Sequence, residues 1–196
     1  MQQGGQRMRD TTDRILNASL ETFKEKGYLK ATTKDIASLA GVAEVTLYRK
    51  FSTKKALFEA TLRKHLNLSL EDTSIDPHTK STTFIPKLLR NRLERMSRQR
   101  DFIKLLIRES LSSTIPEDLH FDQYVEKRLK SIIETHLKHV KNTEVDDEIT
   151  RMIIGILLSY VFIPREKAFH TLEESKKQSI VDAYAKMIVK SIDSAC

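Results

Sequence analysis

Between Thr32 and Lys55 the chain reads TTKDIASLAGVAEVTLYRKFSTKK: a capped apolar turn, a glycine, then a second short segment with a polar face. This spacing has the shape of a helix-turn-helix, and it commits the surrounding chain to a small helical domain. In the first segment Thr33 precedes Lys34, Asp35 and Ile36, so its hydroxyl is expected to cap the helix, with Asp35 at the positive end of the dipole. Ile36, Leu39 and Ala40 share one helical face. Gly41 falls where the chain must turn sharply, a position that favours positive φ, and Val42 anchors the turn.

The second segment, Ala43 to Lys50, points Leu47 and Phe51 at the domain and leaves Ala43, Glu44, Thr46, Tyr48, Arg49 and Lys50 facing away. A helix with so small, hydroxylic and basic a face lies in the major groove of double-stranded DNA, its first residues near base edges and its hydroxyls and cations on phosphates. Lys54, beside Thr53 at the start of the next helix, offers another phosphate contact. Thr33 joins this DNA-facing set from the preceding helix. Glu44 is the odd charge: it accepts from a cytosine amino group or repels phosphate.

At these residues the chain resembles the TetR family of bacterial transcriptional regulators, whose signature includes I-A-x-x-A-G-V-x-x-x-T-L-Y-x-H-F-x-x-K-x-x-L behind a threonine. Thr33, Ile36, Ala37, Ala40, Gly41, Val42, Thr46, Leu47, Tyr48, Phe51, Lys54 and Leu57 are assigned to those places. Lys50 replaces the usual histidine, and Glu44 occupies a slot that is often basic or small. The resemblance covers the first third of the chain. It implies an all-α fold, with a three-helix DNA-binding domain over residues 10–70 (helix-turn-helix about 33–52) and a larger effector-binding and dimerisation domain over 71–196. It further implies a cytoplasmic, ligand-responsive repressor that binds a palindromic operator as a homodimer.

Charge supports the same location. Residues 1–70 hold 13 Lys and Arg against 7 Asp and Glu, whereas residues 71–196 hold 21 against 20, so nearly all of the net +7 lies with the helix-turn-helix. Residues 1–9, MQQGGQRMR, read as a flexible basic arm, with Arg7 and Arg9 as added phosphate or minor-groove contacts if the arm engages DNA. At 196 residues and 39% hydrophobic content the chain can bury a sizeable core. Its one cysteine, Cys196, builds neither a disulfide framework nor a thiolate metal site, and no apolar run long enough for a membrane span appears.

Helical periodicity extends through the rest. Thr11 to Lys26 aligns Ile15, Leu16, Leu20 and Phe23 before a stop at Gly27, with Tyr28 and Leu29 expected to fill the turn as core. Lys54 to Leu70 carries Leu57, Phe58, Leu62, Leu66 and Leu70 and reads as the mechanical link onward. A polar stretch around Pro77 marks the boundary. Phe84 to Arg98 follows, with Pro86 expected in its first turn, then Asp101 to Ser112. One long amphipathic helix is expected over Glu117 to Lys141, from Phe121, Val125, Leu129, Ile132, Ile133, Leu137 and Val140.

The last two segments differ in kind. Ile149 to Ile163 is apolar nearly all round, and a helix of that type must bury more than one face. With Ser175 to Ile192 it forms a hairpin expected to pair with its symmetry mate through Met152, Ile156, Tyr160, Ile180, Tyr184, Met187 and Ile188, with Gly155 and Ser159 allowing close approach. A purely intramolecular core is the alternative. The family resemblance also implies an effector pocket, for which Phe102, Leu106, Phe121, Tyr124 and Phe162 are candidate walls and Arg108, Glu109 and His120 candidate polar anchors; an apolar pocket suits a small hydrophobic effector. His136 and His139, with Glu134, have helical spacing for a metal but no evident third ligand, so a solvated face is expected. The arginine-rich run from Lys87 to Lys104 is read as a solvated face with pairs such as Arg90–Glu94. No catalytic constellation, cofactor motif or metal site is found. The competing function is a helical lipid or small-ligand carrier with a vestigial helix-turn-helix, separable by the steep salt dependence of DNA binding.

Overall fold

Thr32, one residue earlier than expected, caps the first short helix. Its hydroxyl accepts from the Asp35 amide at 3.1 Å while the Asp35 carboxylate accepts from the Thr32 amide at 3.3 Å, a reciprocal capping box. The backbone decides between the two threonines: Thr32 is extended (φ −113°, ψ 152°), whereas Thr33 is already helical and buried. The computed structural model describes residues 3–70, 75–112, 114–141, 147–163 and 166–194, with side chains described except at 3–9, 67–70 and 141. Cys196 and Pro164 lie outside the described residues.

The order is α1 (Gln3–Lys30), α2 (Thr33–Ala40), α3 (Glu44–Phe51), α4 (Lys54–Leu70), α5 (Ser81–Arg98), α6 (Arg100–Leu111), α7 (Lys127–Lys141), α8 (Asp147–Phe162) and α9 (Glu174–Ser194). The fold is all-α, and no strand occurs among the described residues. Two units emerge: one comprises Met1–Leu70 and Leu105–His120, the other Glu71–Lys104 and Phe121–Cys196. Residues 105–120, expected in the C-terminal domain, thus group with the helix-turn-helix.

In the first unit α1 packs on α2 and α4, and α3 on α2 and α4. Ile15, Phe23, Ile36, Leu47, Leu57, Phe58, Leu62 and Leu66 are all fully buried. Phe23 meets Phe58 edge-on with centroids 4.5 Å apart, and Tyr28 stacks on Phe58 at 4.8 Å. Tyr28 is therefore core at the turn, but Leu29 beside it is 80% exposed, contrary to expectation. Leu39, expected on the inner face of α2, is also mostly exposed; eight residues make barely two turns, and Ile36, Ala37 and Ala40 already cover the contact with α1. Helix α1 begins at Gln3, so most of the supposed arm has helical backbone, extending a helix already nucleated downstream. The side chains of Arg7 and Arg9 lie outside those described, as does that of Leu70.

Gly27 interrupts α1 at φ 74°, ψ 168°, a conformation only glycine adopts at little cost. The kink aims the Tyr28 amide at the buried Glu109 carboxylate, 3.4 Å away, which also accepts from Arg108 Nε at 3.1 Å and Thr114 Oγ1 at 2.7 Å. Glu109 is thereby a structural acceptor within its own unit.

The second unit packs α5 against α7, α8 and α9. Phe84, Ile85, Leu88, Leu89, Leu93, Ile133, Ile153, Val161 and Ile188 form its buried centre. Helix α5 starts at Ser81, three residues before the expected start, which moves Pro86 into the second turn, where it has no N–H to give the Thr82 carbonyl. The single long helix expected over Glu117 to Lys141 is instead a 3₁₀ turn (Glu117–Leu119), a π turn (Asp122–Glu126) and then α7. Leu129, Ile133 and Leu137 hold the buried stripe, while Val140 is exposed. His136, expected on a solvated face, is fully buried: Nδ1 donates to the Pro77 carbonyl at 2.7 Å, Nε2 meets Ser81 Oγ at 2.9 Å, and the ring stacks on Phe84 at 3.9 Å. Burial pushes its pKa below the ordinary value, helped by His139. Among the described residues no three His, Cys, Asp or Glu gather in a metal-binding group.

Two arginines of the arginine-rich run, Arg90 and Arg100, reach the last helices of their own unit. Arg90 pairs with Glu94 at 3.7 Å and with Glu174, Lys177 pairs with Glu94 at 2.7 Å, and Arg100 Nε donates to the Val161 carbonyl at 2.6 Å. Contacts with Glu94 and Glu174 hold the Lys177 ammonium above its ordinary range, while Lys177 and Arg90 lower the Glu174 carboxyl.

Candidate nucleic-acid interface

The interface starts at Gly41. Its φ of 63° and ψ of 43° end α2 in the left-handed conformation, and its amide donates to the Ser38 carbonyl at 3.1 Å, so α3 leaves at an angle after two linking residues. Arg14 of α1 locks the turn, donating from Nη2 to the Ala40 carbonyl at 2.6 Å and to that of Gly41 at 3.2 Å. Leu47, wholly buried, pins α3 to the unit. At the far end Ser52 sits at φ 58°, ψ −47°, and the Thr53 amide returns to the Phe51 carbonyl at 2.5 Å, a tight γ-turn. Thr53 Oγ1 then accepts from the Ala56 amide at 3.0 Å and caps α4.

The residues expected to meet DNA divide into two sets. Glu44, Tyr48 and Thr33 form one cluster: Thr33 Oγ1 lies 2.5 Å from Glu44 Oε1, to which it donates, and 3.1 Å from the Tyr48 hydroxyl. Thr33 is buried and serves as the hub rather than as an outward group. Lys50 donates to Thr12 Oγ1 at 2.9 Å, and Lys54 is folded back, 3.2 Å from the Leu29 carbonyl and 4.7 Å above the Tyr28 ring. Thr46 is half-buried. The outward set is Ala43, Arg49 and the ring of Tyr48, together with Val45, which is 73% exposed and which the sequence reading passed over as neither core nor contact. Its position three and four residues before Tyr48 and Arg49 was the available signal.

Asp35, the one acid in the first turn of α2, is held below the usual carboxylate range by Lys26, 2.9 Å away, and by Thr32. Burial, with Glu59 and Glu109 nearby, raises the Tyr28 phenol above its ordinary value.

The other predicted sites are placed less compactly. Of the effector-pocket candidates, Phe102 and Leu106 are buried, Phe121 and Tyr124 half-buried, and Phe162 is 47% exposed. Arg108 is half-exposed beside Glu109, and His120 Nε2 donates to the Ile115 carbonyl at 3.2 Å. None of them lines either of two described hollows: a 390 Å³ cleft bounded by Arg14, Asn17, Glu21, Leu39 and His65, and a 130 Å³ groove bounded by Ile75, Pro77, Ser131, Ile132 and Thr135. Of the interface candidates, Tyr160 and Ile188 point into their own unit's core, a correction that follows from the packing of α5 on α8 and α9. Met152, Ile156, Ile180 and Tyr184 are half-buried and Met187 is 59% exposed.

Comparison with known proteins agrees with this geometry. Residues 15–61 match the profile described as bacterial regulatory proteins, tetR family. Over 193 residues the chain is 30% identical to the uncharacterized HTH-type transcriptional regulator YvkB of Bacillus subtilis, spanning 95% of this chain and 100% of that one. The protein belongs to the TetR family. As a TetR-family member it is a DNA-binding transcriptional regulator. Similar solved structures include a tetR-family regulatory protein from Rhodococcus RHA1, with a TM-score of 0.69 at 18% identity, covering 93% of this chain and 96% of that one. Another is the fatty acid degradation regulator FadR of Bacillus halodurans, with a TM-score of 0.65 at 16% identity, covering 91% and 94%. These two share the fold with the TetR-family chain described here. No helix among its described residues is long and apolar enough to cross a membrane.

Proposed function

We propose that this regulator is a ligand-responsive repressor that binds a palindromic operator as a homodimer and is released by a small hydrophobic effector. The observation that carries the DNA part is the outward face of α3, where Ala43, Val45 and Arg49 are exposed beside Tyr48 while Glu44 and Lys50 are tied back. Dimerisation is supported by the apolar positions left partly open on α8 and α9 and by Gly155, around which a Cβ would meet nothing within 4 Å. Two copies would set paired recognition helices roughly 34–36 Å apart, one turn of duplex. Likeness to a fatty acid degradation regulator supports an effector with an apolar body.

The test is fluorescence anisotropy with duplexes tiled across the regulator's own upstream region. The expected result is one saturable site holding two inverted half-sites, bound by a dimer in sedimentation and losing affinity steeply as salt rises. Fatty acids and acyl derivatives are then titrated into the complex, where a releasing effector must bind the free protein more tightly than the bound one. Salt-independent or absent duplex binding would refute the repressor reading; binding by a monomer to a single half-site would refute the dimer.

A further inference from the structure

The first turn of α3 presents exposed methyl groups beside the hydroxylic and basic side chains of the same face. Ala43 and Val45 are exposed, and the one acid of that turn, Glu44, is drawn toward α2 by the Thr33 hydroxyl at 2.5 Å. Val45 is 73% exposed on a helix of eight residues. There it adds nothing to the core, and a β-branched residue weakens rather than strengthens so short a helix. Its side chain shares a face with Tyr48 and Arg49, three and four residues on, which are themselves exposed. An apolar group flanked by a phenol and a guanidinium, at the end of a recognition helix that approaches base edges, matches one feature of the major groove: the C5-methyl of thymine.

We propose that Val45 is a specificity-determining residue that reads a thymine methyl in each operator half-site, with Thr33 positioning Glu44 so that its carboxylate stays off the phosphates. The inference rests on the DNA-binding role of α3. Arg49 supplies sequence-independent attachment, and Val45 selects a T·A pair beneath the first turn. Removing the thymine methyl alone, by placing deoxyuridine there, leaves every hydrogen-bonding group of the pair in place.

The experiment begins with selection from a random duplex library by the full-length protein, followed by affinity measurements on the enriched site with thymine or deoxyuridine at each position. Wild type is expected to lose about 3- to 5-fold per half-site at one thymine and little at the others, as for one buried methyl. Val45→Ala should bind the thymine site more weakly yet be indifferent to deoxyuridine at that position, and Val45→Ser should relax selection there. An enriched site insensitive to deoxyuridine, or equally sensitive in Val45→Ala, overturns the assignment while leaving DNA binding intact. A library yielding no enriched sequence overturns the DNA-binding premise itself, and the assignment with it.

Discussion

Helices α2 and α3 and helices α8 and α9 leave side chains uncovered for opposite reasons. In the first pair several polar groups are spoken for inside the unit: Thr32 caps, Asp35 answers the cap and Lys26, Thr33 holds Glu44 and Tyr48, and Lys50 reaches Thr12. On α3 and its cap what remains outside is a small patch of methyls, a phenol and a guanidinium. In the second pair the uncovered side chains are apolar over a long stretch, from Met152 and Ile156 on α8 to Ile180, Tyr184 and Met187 on α9. A short helix needs its polar groups to hold it in place, so its free face is sparse and readable. A long helix is held by packing on one side and can leave its other side to a partner.

The largest blow to the first pair should come from Leu47→Ala. Leu47 is fully buried and is the one buried residue of α3. Its truncation should cost about 3 kcal/mol in urea denaturation, with operator affinity falling as the recognition helix loosens. A loss below about 1 kcal/mol would mean that α3 is held chiefly by its polar ties, and the contrast between the two pairs would widen.

Gly41→Ala should cost less, about 1–2 kcal/mol, because an alanine at φ 63° pays the left-handed penalty. Its Cβ would also lie 2.9 Å from Arg14 Nη2. The guanidinium must then move and give up part of its grip on the Ala40 and Gly41 carbonyls. Arg14→Ala in the same background separates the two contributions: if the second substitution adds nothing, the glycine effect runs mainly through the arginine.

The same contrast explains what could be seen before the structure. Gly41, Leu47 and the core of α1 and α4 were legible because apolar period and turn chemistry agree over short distances. The cap was misplaced by one residue because Thr32 and Thr33 are chemically alike and only backbone conformation distinguishes them. Lys50 and Lys54 read as phosphate contacts because charge is visible in sequence, whereas their partners, Thr12 and the Leu29 carbonyl, lie 38 and 25 residues away. Val45 is not legible for the complementary reason: a lone valine carries neither charge nor a polar group to mark it as a contact, and only its exposure gives it a role. In the second unit, the stripe from Phe121 to Val140 has one apolar period, but the local winding that makes Asp122–Glu126 a π turn ahead of α7 carries no periodic signature.

Gly155 sharpens the comparison from the other side with the smallest change. Seen in one chain, it is an exposed glycine inside a helix, and a Cβ there meets nothing. Gly155→Ala should therefore raise the stability of the isolated chain by about 0.5–1 kcal/mol through helix propensity alone. If a helix of a second copy approaches at this point, as proposed above, the added methyl must be accommodated between two backbones. Dimer dissociation measured by sedimentation should then become easier, by about tenfold for a modest overpacking cost. A variant that unfolds at higher denaturant yet dissociates at higher concentration would show that the glycine serves the partner rather than the fold. A variant that gains stability with an unchanged dimer would place the contact elsewhere on α8 and α9, with Met187 and Tyr184 the next positions to truncate.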